Sequence, residues 1–117
     1  MRETVRDKNR LEHILDAINK AIEFIKNDDF EEFKRSALLR FAVVKATEII
    51  GEASYSLTNE FRDNHPEIEW RKIINMRHIL VHGYYKIDDK IVWDTVKLIF
   101  PELRTQIQSL LDSIKDE

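Results

Sequence analysis

Apolar residues in this chain recur at steps of three and four almost from end to end, a spacing that leaves room for little except helices. Leu11, Leu15, Ile18, Ile22 and Ile25 alternate the two steps, laying one apolar stripe along a helix of about 20 residues, ~30 Å long. Trp93, Val96, Phe100, Leu103, Ile107, Leu110 and Ile114 repeat the pattern towards the C-terminus. Only two glycines and two prolines interrupt the 117 residues, so breaks are few and long helices are expected. Ahead of the first stripe, Thr4-Val5-Arg6-Asp7 reads as a capping box, and His13, off the stripe, reads as a surface residue.

The middle of the chain is apolar on two sides. Lys26-Asn27-Asp28-Asp29 breaks the first helix, and Asp28 or Asp29 can cap the next. From Phe30 to Leu57 one face carries Phe30, Phe33, Ala37, Phe41, Val44, Gly51 and Tyr55, and a second carries Leu38, Ala42, Ala46, Ile49, Ala53 and Leu57. Such a helix needs two partners, either as the centre of a bundle or with a subunit interface added. Glu48 interrupts the first face, either leaning out to solvent or orienting a nearby cationic side chain. Gly51 costs the helix roughly 1 kcal/mol against alanine, which suits close approach of another helix there.

Thr58 to Asp63 fits one short turn of helix, and Pro66 suits the first helical position of the next element while holding His65 extended. Trp70 is expected to face the core or an interface. Apolar residues at Ile73, Ile74, Met76, Ile79, Leu80 and Val81 predict a helix over 68–81, and Gly83 is its natural stop. Asp88 or Asp89 can cap the last helix, in which Pro101 predicts a kink through its clash with the Lys97 carbonyl. The expected architecture is all-α: a single domain over 1–117, an antiparallel four-helix-type bundle with a short extra helix before the third main helix and a Pro-kinked last one.

Composition removes several function classes. There are no cysteines, hence no disulfide framework or thiolate metal site. No run approaches the ~18 apolar residues of a membrane span, and the N-terminus does not read as a signal peptide, so a cytoplasmic protein is expected. A formal net charge of −3 argues against a constitutive, affinity-first nucleic-acid binder. It leaves room for an enzyme that touches a few phosphates locally.

Chemistry concentrates in Met76-Arg77-His78-Ile79-Leu80-Val81-His82-Gly83-Tyr84-Tyr85, with Arg71, Lys72 and Lys86 around it. Histidine can take or give a proton near neutral pH, and arginine grips phosphate with a planar fork. RNA supplies its own nucleophile, the ribose 2′-hydroxyl, so two such side chains approach a minimal ribonuclease. Five residues along a helix is roughly 140° around it, however, so Arg77 and His82 do not share a face, and one histidine cannot be acid and base at once. A two-fold dimer with facing motifs would ease both problems, and His78 could also help. His78 and His82 match half of a metal site, with no third ligand beyond Asp88 or Asp89, so no metal or cofactor is expected. With only two glycines, phosphate loops are excluded. The alternative to all of this is a solvated helix end.

The ordered set Arg77-x4-His82-x-Tyr84 resembles the HEPN superfamily, and within it the HepT-like ribonuclease toxins. The likeness extends over nearly the whole chain, through Ile50-Gly51-Glu52-Ala53, Pro66…Trp70 and Val92-Trp93. It implies a homodimer in which Arg77 and His82 are catalytic and His78 supporting; Glu48, from its place on the helix face alone, is the candidate carboxylate to orient His82 or pair with Arg77. It also implies that Tyr84 accepts adenylyl groups from an MntA-like nucleotidyltransferase antitoxin. Two functions follow from the resemblance: an endoribonuclease toxin acting on RNA, or a non-catalytic helical partner of a nucleotidyltransferase that binds nucleotide or RNA without cutting it.

Overall fold

A computed structural model describes the backbone over 2–82 and 88–114, and the side chains over 5–79 and 88–114. Among the described residues seven α-helices follow in order: α1 Arg2–Ile25, α2 Phe30–Arg35, α3 Ala37–Tyr55, α4 Asn59–Asn64, α5 Trp70–His82, α6 Asp89–Asp94 and α7 Phe100–Ile114. A π-helical turn, Thr95–Ile99, joins the last two. The described residues contain no strand, and none of their helices is long and apolar enough to cross a membrane.

The long helices form an antiparallel all-α bundle in which α1 lies between α3 and α7, and α3 lies between α1 and α5. Contacts at the helix ends fix the directions. Asp7 near the start of α1 meets Thr58 just past the end of α3, and Lys97 reaches the Ile25 carbonyl at the end of α1. Because α1 has two partners, its buried face is wider than one stripe. Leu11, Ile18 and Ile25 are fully buried together with Ile14, Ala17 and Ala21, while Leu15 and Ile22 are only partly covered. Each fully buried Leu or Ile contributes about 1.5–3 kcal/mol.

Several local expectations are corrected. Phe30–Leu57 is not one helix: it breaks at Ser36, whose amide donates to the Phe33 carbonyl while its hydroxyl accepts from the Leu39 amide at 3.1 Å. One serine thus ends α2 and caps α3, which lets Phe33 turn onto Trp93, ring centroids 5.4 Å apart. Asp7 is not a first-turn capping residue, because α1 begins at Arg2; Thr4's side chain lies outside the described residues. Asp7 is instead buried and accepts from the amide and hydroxyl of Thr58 at 2.9 and 2.8 Å, while Thr58 caps α4.

Pro66 sits in a turn rather than at a helix start, and α5 begins at Trp70, two residues later than the apolar pattern suggested. Trp70 is buried and its indole N–H donates to the His65 carbonyl at 3.0 Å. The disturbance ahead of Pro101 takes the form of the π-turn, in which the Phe100 amide donates to the Thr95 carbonyl. That widened turn places Pro101 in the first turn of α7, where its missing N–H costs little. Asp29 forms a capping box with Glu32, and Asp88 caps α6, both as expected. The helix stop expected at Gly83 lies outside the described residues.

Candidate functional site

The site starts from a close crossing of two helices. A Cβ added at Gly51 would lie 2.1 Å from the Arg77 Cβ, 2.8 Å from its Cγ and 3.2 Å from the Ile73 carbonyl oxygen. Only glycine lets α5 pass this near to α3, and the crossing fixes where the arginine stem leaves its helix. From there the Arg77 guanidinium reaches along α3 and pairs through Nη2 with Glu52 Oε2 at 2.8 Å. Arg77 keeps 33% of its side chain exposed and Glu52 57%, so solvent screens the pair and it contributes little to stability. Its consequence is orientation: one nitrogen is held, and the fork has no other ion-pair partner among the described residues.

Arg77 lines a basin of about 330 Å³ that spans the outer face of α3. Arg10 and His13 of α1 line it together with Lys45, Glu48, Ile49 and Glu52 of α3. Glu48 is half-buried and faces Lys45 at 3.9 Å; the carboxylate on Arg77 is that of Glu52, four residues further on. His78 is exposed on α5 directly after Arg77. The backbone of α5 continues to His82, while the His82 side chain and all of Tyr84 lie outside the described residues. Among the described residues no cluster of histidine, aspartate and glutamate is arranged to hold a metal ion.

A second groove, about 390 Å³, is formed by Ile73 and Met76 of α5 with Phe100 and Leu103 of α7. It is better enclosed, but its charged lining is Glu67, Glu69 and Glu102 against one lysine, Lys72, which is the wrong sign for a phosphate backbone. The Arg77 basin, with three cations against two carboxylates, has the better sign for phosphate.

Sequence reasoning missed Glu52 and Arg10; His13 is exposed, as its place off the stripe predicts, but its position on the basin wall was not read. Glu52 carried a signal, since it follows the one glycine that admits a second helix. Arg10 and His13 carried none, because nothing in their neighbourhood tells which helix α1 lies against.

Comparison with known proteins matches residues 14–110 to a family described as ribonuclease HepT-like. A "Probable ribonuclease HepT" of Thermococcus cleftensis is 42% identical over 103 residues, covering 88% of this chain and 94% of the relative. A "Putative RNase" of Methanocaldococcus jannaschii is 39% identical over 95 residues, 81% of this chain and 87% of the relative. Another "Putative RNase", from Caldanaerobacter subterraneus subsp. tengcongensis, is 39% identical over 105 residues, 90% and 94% of the two chains. No solved structure matches.

Proposed function

The chain belongs to the ribonuclease HepT-like family, and on that premise we propose that it is a metal-independent endoribonuclease acting on cytoplasmic RNA through Arg77 and His82. The observation that carries this reading is the one-third-exposed Arg77 side chain, its guanidinium held at one nitrogen on the rim of an open basin, five residues ahead of the histidine that ends α5. Arg77 would bind the non-bridging oxygens of the scissile phosphate and stabilise the charge that builds there. The 2′-oxygen then attacks phosphorus, a base takes its proton, and an acid protonates the departing 5′-oxygen. His82 supplies one of these two roles and a second histidine the other. The ends produced would be a 2′,3′-cyclic phosphate and a 5′-hydroxyl, and mass spectrometry of the fragments tests that outcome.

A homodimer provides the second histidine. Leu38, Phe41 and Ile49 lie on one side of α3, exposed by 80%, 73% and 39%, and Ile79 of α5 is 63% exposed. Ile49 lines the basin itself, so a second copy seated on this apolar face would close the basin into a cleft lined by two motifs. His78, beside Arg77, would support the reaction there, and Glu48 would help fix the charges around it.

The proposal extends to regulation. The protein would be the toxin of a toxin–antitoxin pair, silenced when an MntA-like nucleotidyltransferase antitoxin joins AMP to Tyr84. Each AMP adds a negative charge and a base two residues from His82, competing with RNA for Arg77. The Arg77–Glu52 pair favours the other reading, a non-catalytic partner of the nucleotidyltransferase, because that arginine is already neutralised. Incubation with RNA separates the two.

A further inference from the structure

The charges lining the basin do not balance. Three cations, Arg10, Lys45 and Arg77, meet two carboxylates, Glu48 and Glu52. Both carboxylates are engaged, Glu48 with Lys45 at 3.9 Å and Glu52 with Arg77 at 2.8 Å. Arg10 is the remaining cation. Its Nε is buried and has no hydrogen-bond partner among the described residues. A buried donor without an acceptor is costly in a folded protein; the Nε itself is out of a ligand's reach, and it is the uncompensated charge of Arg10 on the wall of the open basin that suits an incoming anion.

The placement on α1 is not casual. Arg6, Arg10 and His13 step by four and three, so they form one row along the helix. Arg6 donates to the Ser56 carbonyl at the end of α3, at 3.4 Å, which holds the row against that helix. Arg10 and His13 then line the basin from α1, with Arg77 contributing from α5 and α3 forming the floor between them. A cavity of about 330 Å³ can take a nucleotide-sized ligand.

We infer that α1 forms a second phosphate subsite of the RNA cleft, in which the Arg10 guanidinium binds a backbone phosphate next to the one held by Arg77, with His13 donating to the same group. The inference rests on the RNA-cleaving reading for its ligand but not for its geometry. Arg10 and His13 are binding residues here, and the reacting groups stay with the α5 motif.

The test uses the full chain and a short fluorescein-labelled DNA oligonucleotide, which carries the phosphates but has no 2′-hydroxyl to attack. Binding is titrated across salt concentrations for wild type, Arg10→Gln, Arg10→Lys and His13→Gln, and RNA cleavage is followed for the same set. Arg10→Gln is expected to weaken binding about tenfold and to flatten the slope of log K against log salt by about 0.7, the signature of one lost single-strand phosphate contact. It should raise KM for RNA with kcat nearly unchanged. Arg10→Lys should retain the slope, and His13→Gln, at an exposed position, should weaken binding in a fully folded protein. Unchanged affinity and slope in Arg10→Gln, or in His13→Gln should the arginine variant not fold, would overturn the subsite while leaving the cleavage reading intact. Arg10-dependent binding by a wild type that cuts no RNA would uphold the subsite and overturn the cleavage reading instead.

Discussion

Gly51 and Arg77 occupy a single van der Waals contact between α3 and α5: the space that a Cβ on the glycine would need is filled by the Cβ of the arginine. The residue proposed to grip the phosphate is therefore positioned by an absence of side chain on another helix. Neither atom can rotate away, because each Cβ is fixed by its backbone.

Gly51→Ala follows directly. Alanine improves the intrinsic helix preference by ~1 kcal/mol, but the overlap with Arg77 forces the helices apart, and such overpacking costs about 1–3 kcal/mol. The expected outcome is a net loss of stability in thermal or urea unfolding, accompanied by a larger loss of RNA cleavage. A variant with wild-type Tm and activity would contradict the crossing geometry.

Glu52→Gln separates stability from orientation. The pair is solvent-screened, so unfolding should change by less than ~1 kcal/mol. The guanidinium loses the carboxylate that fixes its direction, and kcat should fall about tenfold as the near-attack geometry loosens. Binding of RNA at low salt should strengthen, since one negative charge leaves the basin. Stopped-assay kinetics with a salt titration measure both, and an unchanged kcat would remove Glu52 from the account.

Much of this fold was legible in the sequence because it is written in local rules. The capping aspartates Asp29 and Asp88, the short helix after Thr58 and the stripe of α1 each depend on residues within one or two turns. Gly51 announced a close crossing in the same way. The misread parts depend on distant partners. Ser36 breaks a run of unbroken apolar periodicity so that Phe33 can reach Trp93, and Asp7 finds Thr58 at a separation of 51 residues. The basin was read from one helix only: Arg77 was visible through its motif, whereas Glu52, Arg10 and His13 join it through packing that no local pattern encodes.

The apolar face of α3 predicts the oligomeric state. Phe41→Glu or Leu38→Glu should convert a dimer to a monomer in sedimentation at tens of micromolar. Both side chains are already exposed in the protomer, so the intrinsic fold should survive. Cleavage should be lost with the dimer. A wild type that sediments as a monomer at that concentration would contradict the composite cleft.

Tyr84 predicts a mass signature. Co-expression with the cognate nucleotidyltransferase should add AMP-sized increments to wild type and to Tyr85→Phe, and none to Tyr84→Phe. The modified forms should no longer cut RNA. Modification of Tyr84→Phe, or cleavage by modified wild type, would show that the switch lies elsewhere.

Incubation of purified protein with RNA in excess EDTA, comparing wild type with Arg77→Ala and His82→Ala, tests the central claim most directly. Arg77→Ala keeps the Cβ that packs at the crossing, and His82 is the last residue of α5, so circular dichroism should show the fold retained. Wild type should cleave in EDTA and leave 2′,3′-cyclic phosphate ends, and each variant should lose cleavage by a factor of at least about 100. Cleavage that requires a divalent metal, or that persists in either variant, would contradict the assignment of the chemistry to Arg77 and His82.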